Sequence, residues 1–305
     1  MDTREQLLAL TDELRRRKAE GVRAVPVTEE TLGRLRESVR QQLAPPPTAV
    51  APVEAPRVDE APTATPARAV AAKSASVFSL APIPREAPTV TLPAGDKRTR
   101  WKALRDFVTG HPVCCAHLRP GKQVVLGVGD LDAKIFFCGE APGAEEEVHG
   151  EPFVGPAGQL LSRMIQGMGL SREQVYIGNI MNWRPEMPTE TDREQVGNRA
   201  PTAEEMKFCL PFLRAQLEIV QPSIIVALGK TAAEGLLGAG TFKALGDVRS
   251  HWHQFASIPL MVTYHPSYIL RSQSNAAKRQ IWEDLLKVME KAGLPISEKQ
   301  RGYFL

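Results

Sequence analysis

The fold is decided by a short stretch that reads Lys134-Ile135-Phe136-Phe137-Cys138 and continues Gly139-Glu140-Ala141-Pro142-Gly143. The apolar run is typical of a buried strand, and the glycines and prolines after it predict an irregular loop. This loop extends to Gly158 and carries several carboxylates and the aromatic residue Phe153. Because α/β proteins bind ligands in loops at the carboxyl ends of such strands, we interpret residues 139–158 as one wall of an active site.

The acidic residues of this loop allow two interpretations. Glu145 and Glu147 fit either a site wall or a solvated acidic face, since clustered charges usually lie in water. Glu140 differs from them because it is held between the end of the strand and Pro142.

Length and composition set the outer limits. The chain has 305 residues, of which 43% are hydrophobic, so it can bury one substantial core and carry an appendage. Its formal net charge of +3 permits nucleic-acid binding without indicating it, since a binding footprint is a local basic patch. No long apolar run and no signal-peptide pattern occur, so we expect a cytoplasmic protein with no membrane partner. The four cysteines lack the spacing of a disulfide framework and are expected to stay reduced.

Composition divides the chain into three segments. Residues 1–43 are predicted as a helical segment with two amphipathic helices, which either dock onto a protein partner or fray. Residues 44–95 are rich in proline and alanine and are predicted as a disordered linker. Residues 96–305 alternate short apolar runs with amphipathic stretches, which predicts an α/β fold of three layers (α/β/α) with a largely parallel central sheet. Strands are predicted at residues 122–128, 135–138, 175–180, 223–228 and 259–263, and helices at 97–108, 158–168, 203–219, 230–237 and 276–292.

Three chemistry-bearing segments end at predicted strand termini and should meet at one edge of the sheet. They are the loop after Gly139, the segment around Asn179, and the segment around His265. Taken singly, Asn179 could cap a turn and the His265-Pro266 pair could simply end a strand. Together, a carboxylate, an aromatic ring, an amide and an imidazole form a pocket suited to stacking, hydrogen-bonding and polarising a flat heterocycle.

Several motifs of residues 96–305 match, in order and spacing, those of one known family. The motifs are Gly139-Glu140-Ala141-Pro142-Gly143 with Glu146-Glu147, Gly150-Glu151-Pro152-Phe153-Val154-Gly155, Gly158-Gln159-Leu160-Leu161, Asn179, Arg184-Pro185, Asn198-Arg199-Ala200-Pro201 and His265-Pro266-Ser267-Tyr268-Ile269-Leu270-Arg271. This part of the chain resembles the uracil-DNA glycosylase superfamily, and most closely family four, whose usual members carry an iron–sulfur cluster.

The resemblance implies how a base would be recognised. Phe153 would stack on a base flipped out of the DNA, Asn179 would read the uracil edge, and Gly139 and Ala141 would complete the substrate-binding wall. An asparagine amide has one donor and one acceptor group and so pairs with uracil O4 and N3–H, which the amino group of cytosine would not satisfy. Extrusion is needed because the glycosidic bond is inaccessible in a stacked duplex.

The resemblance also implies catalytic roles. His265 would donate a hydrogen bond to uracil O2 and stabilise the leaving anion, as an oxyanion hole does. Glu140 or Glu146 would hold the attacking water and offset the positive charge of the sugar. We favour Glu140 for the water, with Glu146 supporting it. In the alternative, His265 is a structural histidine beside Tyr264.

Residues for DNA binding follow from the same motifs, with uracil-containing DNA as the expected partner. Tyr268, Ile269 and Leu270 would fill the gap that the flipped base leaves, next to Ser267. Arg271 would contact phosphate. The long loop from Glu186 to Gly197 has no histidine that could trap the sugar, and Arg193 and Arg199 are its candidate phosphate contacts.

The cofactor is where the chain departs from the family. The four cluster-ligand positions correspond to Cys114, His117, Trp183 and Cys209, with Cys115 as a possible substitute at the second position. An indole cannot ligate iron. The ligand set is therefore degraded, and we expect no metal and no 4Fe-4S cluster.

The resemblance as a whole implies a monofunctional DNA repair glycosylase that hydrolyses uracil from DNA and leaves an abasic site. One alternative is a glycosylase for another deaminated base, such as hypoxanthine. Another is a catalytically weak DNA-binding module that recruits partners. The presence of Glu140, Asn179 and His265 favours the enzyme.

Overall fold

A computed structural model describes residues 82–187, 194–272 and 274–305. The predicted helices of residues 1–43, most of the predicted linker and Arg193 lie outside these residues, so the division of residues 1–95 stays a prediction. In the last part of the predicted linker, Ile83, Val90 and Leu92 are partly buried and pack against the core. Within the described ranges, no helix is long and apolar enough to cross a membrane.

The described residues form a sheet with helices around it. The strands are β1 (Val128–Gly129), β2 (Ile135–Gly139), β3 (Tyr176–Asn179), β4 (Ile224–Leu228), β5 (Trp252–Phe255) and β6 (Ile258–Thr263). The helices are α1 (Lys97–Thr109), α2 (Pro112–Ala116), α3 (Ala144–His149), α4 (Pro156–Gly167), α5 (Ala203–Val220), α6 (Lys230–Leu237), α7 (Pro266–Ser272), α8 (Asn275–Lys291) and α9 (Glu298–Arg301). Single 3-10 turns lie at Arg172–Gln174 and Leu245–Asp247.

The sheet has the strand order β1-β3-β2-β4-β6-β5. The four central strands are parallel, and the two edge strands run antiparallel to their neighbours. The chain leaves β2 toward β3 on one side and later places β4 on the other side, so the carboxyl end of β2 is a switch point where ligands bind in such sheets.

Two hydrophobic clusters lie on opposite faces of this sheet. Successive side chains of β2 point to opposite faces: Phe136 and Cys138 belong to the first cluster, and Ile135 and Phe137 to the second. Helices α1, α5 and α6 contribute to the first cluster, and α4, α7 and α8 to the second. The predicted three-layer α/β/α fold with a largely parallel sheet is confirmed.

One predicted strand is wrong. Residues 122–127 were expected to join the sheet, but only Val128 and Gly129 pair with β3. The preceding backbone bonds elsewhere: the amide of Gln123 donates to the carbonyl of Glu147 at 2.7 Å, and that of Val125 to the carbonyl of Asn182 at 2.8 Å. Because Glu147 belongs to α3 and Asn182 to the loop after β3, the segment does not bond to a strand at these amides and is not part of the ladder.

The register of the parallel strands positions the site. Gly139 of β2 lies opposite Asn179 of β3, and Leu228 of β4 lies opposite Thr263 of β6. The residues that follow these strand ends therefore meet at one edge of the sheet, as the sequence predicts.

Candidate active site

A cleft of about 580 Å³ opens at the carboxyl ends of the parallel strands. Nine of the residues predicted for the site line it: Glu140, Ala141, Glu146, Phe153, Asn179, Arg199, His265, Ser267 and Arg271. Gly139 lies directly behind it, at the end of β2. The structure thus brings together the three segments that the sequence places at strand termini.

Phe153 forms the floor of the cleft in a conformation that its neighbours impose. Its φ of 55° lies in the left-handed region, which is unfavourable for a residue with a bulky side chain. A Cβ on Gly158 would lie 1.8 Å from the carbonyl oxygen of Phe153, so only glycine permits this close approach. The ring is buried and its centroid lies 5.6 Å from that of His265, with the planes inclined by 30°.

Asn179 supplies a buried amide with an unused acceptor. The residue is 5% exposed, and its Oδ1 atom has no hydrogen-bond partner. A Cβ on Gly139 would lie 2.4 Å from this Oδ1 and 2.5 Å from Cζ of Phe153, so the amide reaches its position only because residue 139 is glycine. Buried polar atoms are nearly always paired, so an unpaired one at the cleft indicates a ligand atom.

His265 is held as a neutral imidazole with its proton on Nε2. The backbone N–H of Ser267 lies 3.2 Å from Nδ1 and can only donate, so Nδ1 accepts. The Ser267 hydroxyl lies 2.8 Å from the same Nδ1 and accepts from Nη1 of Arg271 at 3.2 Å. Burial and the nearby Arg271 cation lower the pKa of His265 to about 4, although Glu146 opposes this. At neutral pH, Nε2–H is therefore a hydrogen-bond donor.

Glu140 is the first residue after β2 and is half-buried at the cleft. Burial raises the pKa of its carboxyl group, with a smaller contribution from the negative charge of Glu234, while a hydrogen bond from Thr231 acts in the opposite direction. The peptide carbonyl of Glu140 accepts from the amide of Met181 at 3.0 Å, which fixes the backbone at this point. A carboxylate with a raised pKa at a cleft is suited to accept a proton from water.

Glu146 has a different environment from Glu140. Its carboxylate accepts from the backbone amides of Gly143 at 3.1 Å, Val154 at 3.1 Å and Gly155 at 3.0 Å. These bonds close the loop around Phe153. The predicted support of the attacking water stays a prediction, and the observed contacts are those of a loop clamp.

Glu145 and Glu147, for which the sequence leaves two interpretations open, have different surroundings. Glu145 is exposed, whereas Glu147 is buried and bonded to Nη1 of Arg184 at 2.8 Å. Arg184 also donates to the side-chain oxygen of Asn198 at 2.8 Å and to the carbonyl of Gly197 at 2.7 Å. This buried ion pair therefore joins the loop after β2 to the loop that precedes α5.

The residues predicted for DNA binding lie mostly on α7, with different exposures. Ser267 and Arg271 line the cleft, and Tyr268 and Leu270 are exposed at the surface. Ile269 is only 7% exposed and packs in the second core cluster.

Arg199 lines the cleft with its donors already engaged. Its guanidinium binds both oxygens of Glu205 at 2.7 Å and donates to the carbonyl of Glu186 at 2.6 Å. A phosphate contact of Arg199 stays a prediction, and its observed contacts hold the loop to α5.

Sequence reasoning missed three polar residues of the cleft: Lys230, Thr231 and Asn198. Lys230 and Thr231 begin α6 immediately after β4. The rule that drew attention to Glu140, a polar residue directly after a buried parallel strand, would also have found them.

The residues at the four positions that correspond to cluster ligands in family four do not make up a ligand set for one. Trp183 is completely buried, and its indole stacks on the imidazole of His117 with centroids 5.0 Å apart and an angle of 9°. Cys114 and Cys209 are buried free thiols. In the part of the chain that the structure describes, no three His, Cys, Asp or Glu side chains come together as a metal site. The indole fills space at the third position and offers no metal ligand.

Fold and cleft define the class of protein: an α/β enzyme with helices on both faces of its sheet and a cleft at the switch point. The cleft contains an amide, an imidazole, an aromatic ring and a carboxylate. The sequence profile described as "Uracil DNA glycosylase superfamily" matches residues 126–286. The chain belongs to this superfamily.

Curated relatives show which members of the superfamily the chain is similar to. A "Type-4 uracil-DNA glycosylase" of Thermotoga maritima is 41% identical over 177 residues, which cover 57% of this chain and 85% of the relative. The protein of the same name from Archaeoglobus fulgidus is 35% identical over 211 residues, or 67% and 98% of the two chains. A "Type-5 uracil-DNA glycosylase" of Thermus thermophilus is 29% identical over 217 residues, or 69% and 99%.

Proposed function

We propose that this protein is a DNA repair enzyme that hydrolyses the N-glycosidic bond of uracil in DNA and leaves an abasic site. The observation that carries the proposal is the unpartnered Oδ1 of Asn179 in a cleft that also contains the Nε2–H donor of His265. The relatives named as type-4 uracil-DNA glycosylases support the substrate.

Recognition uses the two ends of the Asn179 amide. With the flipped base stacked over Phe153, Oδ1 accepts from uracil N3–H and Nδ2 donates to O4. Cytosine presents an acceptor at N3 and an amino donor at C4, so both hydrogen bonds are lost and buried polar atoms stay unpaired. Such a mismatch between a polar site and a ligand discriminates strongly.

The chemistry separates charge between sugar and base. As the bond from C1′ to N1 breaks, its electron pair leaves with uracil, and the negative charge spreads to O2, where Nε2–H of His265 donates. Glu140 takes a proton from water while the water oxygen bonds to C1′. The neutral histidine stabilises the anion without having to give up its proton, as a preorganised donor does.

The DNA is held by α7 and the start of α6. Leu270 is exposed and apolar, and so is suited to fill the gap in the base stack. Arg271 and Lys230 line the cleft and offer positive charge to phosphates.

We also propose that the enzyme works without an iron–sulfur cluster, because the stacked Trp183 and His117 rings stand where ligands would be needed. Purified protein from iron-supplemented cells should contain no stoichiometric iron or labile sulfide, and should lack the visible absorption of a cluster. Stoichiometric iron together with sulfide would overturn this part of the proposal.

The proposed partner is uracil-containing DNA, and residues 1–43 remain a proposed docking segment for a protein. A cytoplasmic location is consistent with the four free thiols, since a reducing compartment keeps cysteines unpaired.

The test uses single-stranded and duplex oligonucleotides with one uracil, opposite guanine or adenine. Alkali cleaves the abasic sites, and strand scission measures excision. Wild-type protein should cleave at uracil, and Asn179→Ala should lose at least about 100-fold in kcat/KM, since both base-reading bonds are lost.

Matched oligonucleotides with hypoxanthine or cytosine are the controls. Scission at hypoxanthine alone would favour the other deaminated base, and binding without scission would favour a recruitment module. Either result contradicts the proposed function.

A further inference from the structure

Two tyrosines form a stacked pair beside the cleft. The rings of Tyr264 and Tyr268 lie with centroids 4.6 Å apart at an angle of 21°. Tyr264 directly precedes His265 and packs against the second core cluster, whereas Tyr268 is 36% exposed on α7. Among the described residues, Tyr268 stacks with no ring other than Tyr264, and about a third of its surface is exposed to solvent.

Charged residues hold the Tyr264 ring of this pair in place. The guanidinium of Arg249 lies 5.0 Å from the ring centroid of Tyr264 and donates to the carboxylate of Asp284 at 2.8 Å. Asp284 is fully buried and also accepts from the hydroxyl of Thr263 at 2.7 Å. Because Tyr264 is fixed by a cation on one side, Tyr268 loses little additional freedom when a flat ligand stacks on it.

The tyrosine pair lies close to the cleft that would receive the DNA. Tyr268 and Arg271 are three residues apart on α7 and so lie on the same side of the helix. Arg271 lines the cleft that would hold the extruded nucleotide. A DNA strand that places a nucleotide in the cleft would pass next to this flat surface, and every base offers a π-face for stacking.

We propose that Tyr264 and Tyr268 form a stacking platform for the base that neighbours the extruded uracil on the same strand. The proposal rests on the proposed function and deepens it. It makes DNA with an unpaired neighbouring base, above all single-stranded DNA, the preferred substrate class. The neighbouring base contributes through its face alone, so the platform accepts purines and pyrimidines.

The test removes the base from one partner and the ring from the other. Single-stranded oligonucleotides carry one uracil, and the base on its 5′ or 3′ side is kept or replaced by a stable abasic analogue. For wild-type protein, loss of the base on one of these sides should lower kcat/KM about tenfold, within the range for stacking of a base on an aromatic ring.

Variants of Tyr268 test whether the effect of the neighbouring base depends on this ring. Tyr268→Ala should lose about tenfold on the complete strand and nothing more when the neighbouring base is removed, because the partner is already missing. Tyr268→Phe should keep the wild-type pattern, and so should Phe304→Ala, which changes an exposed aromatic residue near the carboxyl terminus. An equal effect of base removal in wild type and Tyr268→Ala would overturn the platform.

A wedge role for Tyr268 gives a different result. A wedge fills the gap in a duplex, so Tyr268→Ala would then lose activity on duplex DNA and keep it on single strands. Leu270→Ala serves as the reference for this behaviour. Loss confined to duplex substrates would overturn the platform.

A second readout does not need catalysis. With 2-aminopurine beside the uracil, fluorescence should stay quenched on binding to wild-type protein and rise on binding to Tyr268→Ala. Equal signals would overturn the platform. Quenching by a protein that excises no uracil would contradict the proposed function and leave the platform in place.

Discussion

Glu140 stands at the point where a buried strand becomes a loop, and the raised pKa of its carboxyl group follows from that position. Replacing it by glutamine keeps the shape and removes the proton acceptor. We expect Glu140→Gln to lower kcat at least about 100-fold with little change in KM. Single-turnover excision measures this, with the exposed Glu204→Gln as a control that stays at the wild-type rate.

The same carboxyl group predicts the pH dependence of excision. Because its ionised form accepts the proton and its pKa lies above the ordinary value of 4.5, kcat/KM should fall with decreasing pH already above pH 4.5. A wild-type profile that stays flat down to this pH would contradict the role of Glu140.

His265 links acid conditions to stability. Its pKa is about 4 in the folded protein, whereas the ordinary histidine value of 6.5 applies to the unfolded chain. Below pH 6.5 the unfolded chain therefore binds a proton that the folded protein does not. Stability is therefore lost as the pH falls from 6.5 to 4. Between pH 7 and pH 5, wild-type protein should lose about 2 kcal/mol of unfolding free energy that His265→Gln retains. Urea titrations at both pH values measure the difference, and parallel losses would contradict it.

For single residues, the sequence predicts where a side chain lies in the fold better than it predicts which groups it hydrogen-bonds to. Asn179 and His265 were placed at the cleft because each lies at the carboxyl end of a strand, which is a local property of the chain. The three amides that bind Glu146 belong to residues 143, 154 and 155. Hydrogen bonds within an irregular loop follow no periodic pattern, so the sequence did not predict these partners.

Among the elements, the loop after β2 is secured by the buried pair of Arg184 and Glu147. Arg184→Met leaves Glu147 buried without its main partner, and we expect a loss of about 3 kcal/mol in unfolding free energy. The double variant Arg184→Met/Glu147→Leu should recover part of this loss. Denaturant unfolding measures all three proteins.

An exposed pair provides the matched control. Lys102 and Asp106 are bonded at 2.6 Å with both side chains in solvent, so Lys102→Met should cost less than about 0.5 kcal/mol. Equal costs for Arg184→Met and Lys102→Met would contradict the buried role of the first pair.

The elements that the sequence predicts well are those with a strong period. All five helices predicted within residues 96–305 and four of the five strands are present. β5 was missed because Trp252-His253-Gln254-Phe255 is half polar, as an edge strand can be. α7 was missed because its seven residues, the first of which is Pro266, carry too little periodicity to separate a helix from a loop.

For the whole molecule, the cleft and the family match lie in one part of the chain. The residues that line the cleft fall between Glu140 and Arg271, and the superfamily profile matches residues 126–286. A protein without residues 1–81 should therefore excise uracil from short oligonucleotides at the full-length rate and unfold at the same temperature. Reduced excision would show that residues 1–81 act in the reaction itself.

The two edge strands have a consequence for life in a crowded cell. Free strand edges are templates on which other chains can add and aggregate. Here one edge is only two residues long, and on the other the ring of Trp252 lies 5.2 Å from the ammonium group of Lys291. These short edge strands, one of them next to a lysine, therefore offer other chains little backbone on which a further strand could add.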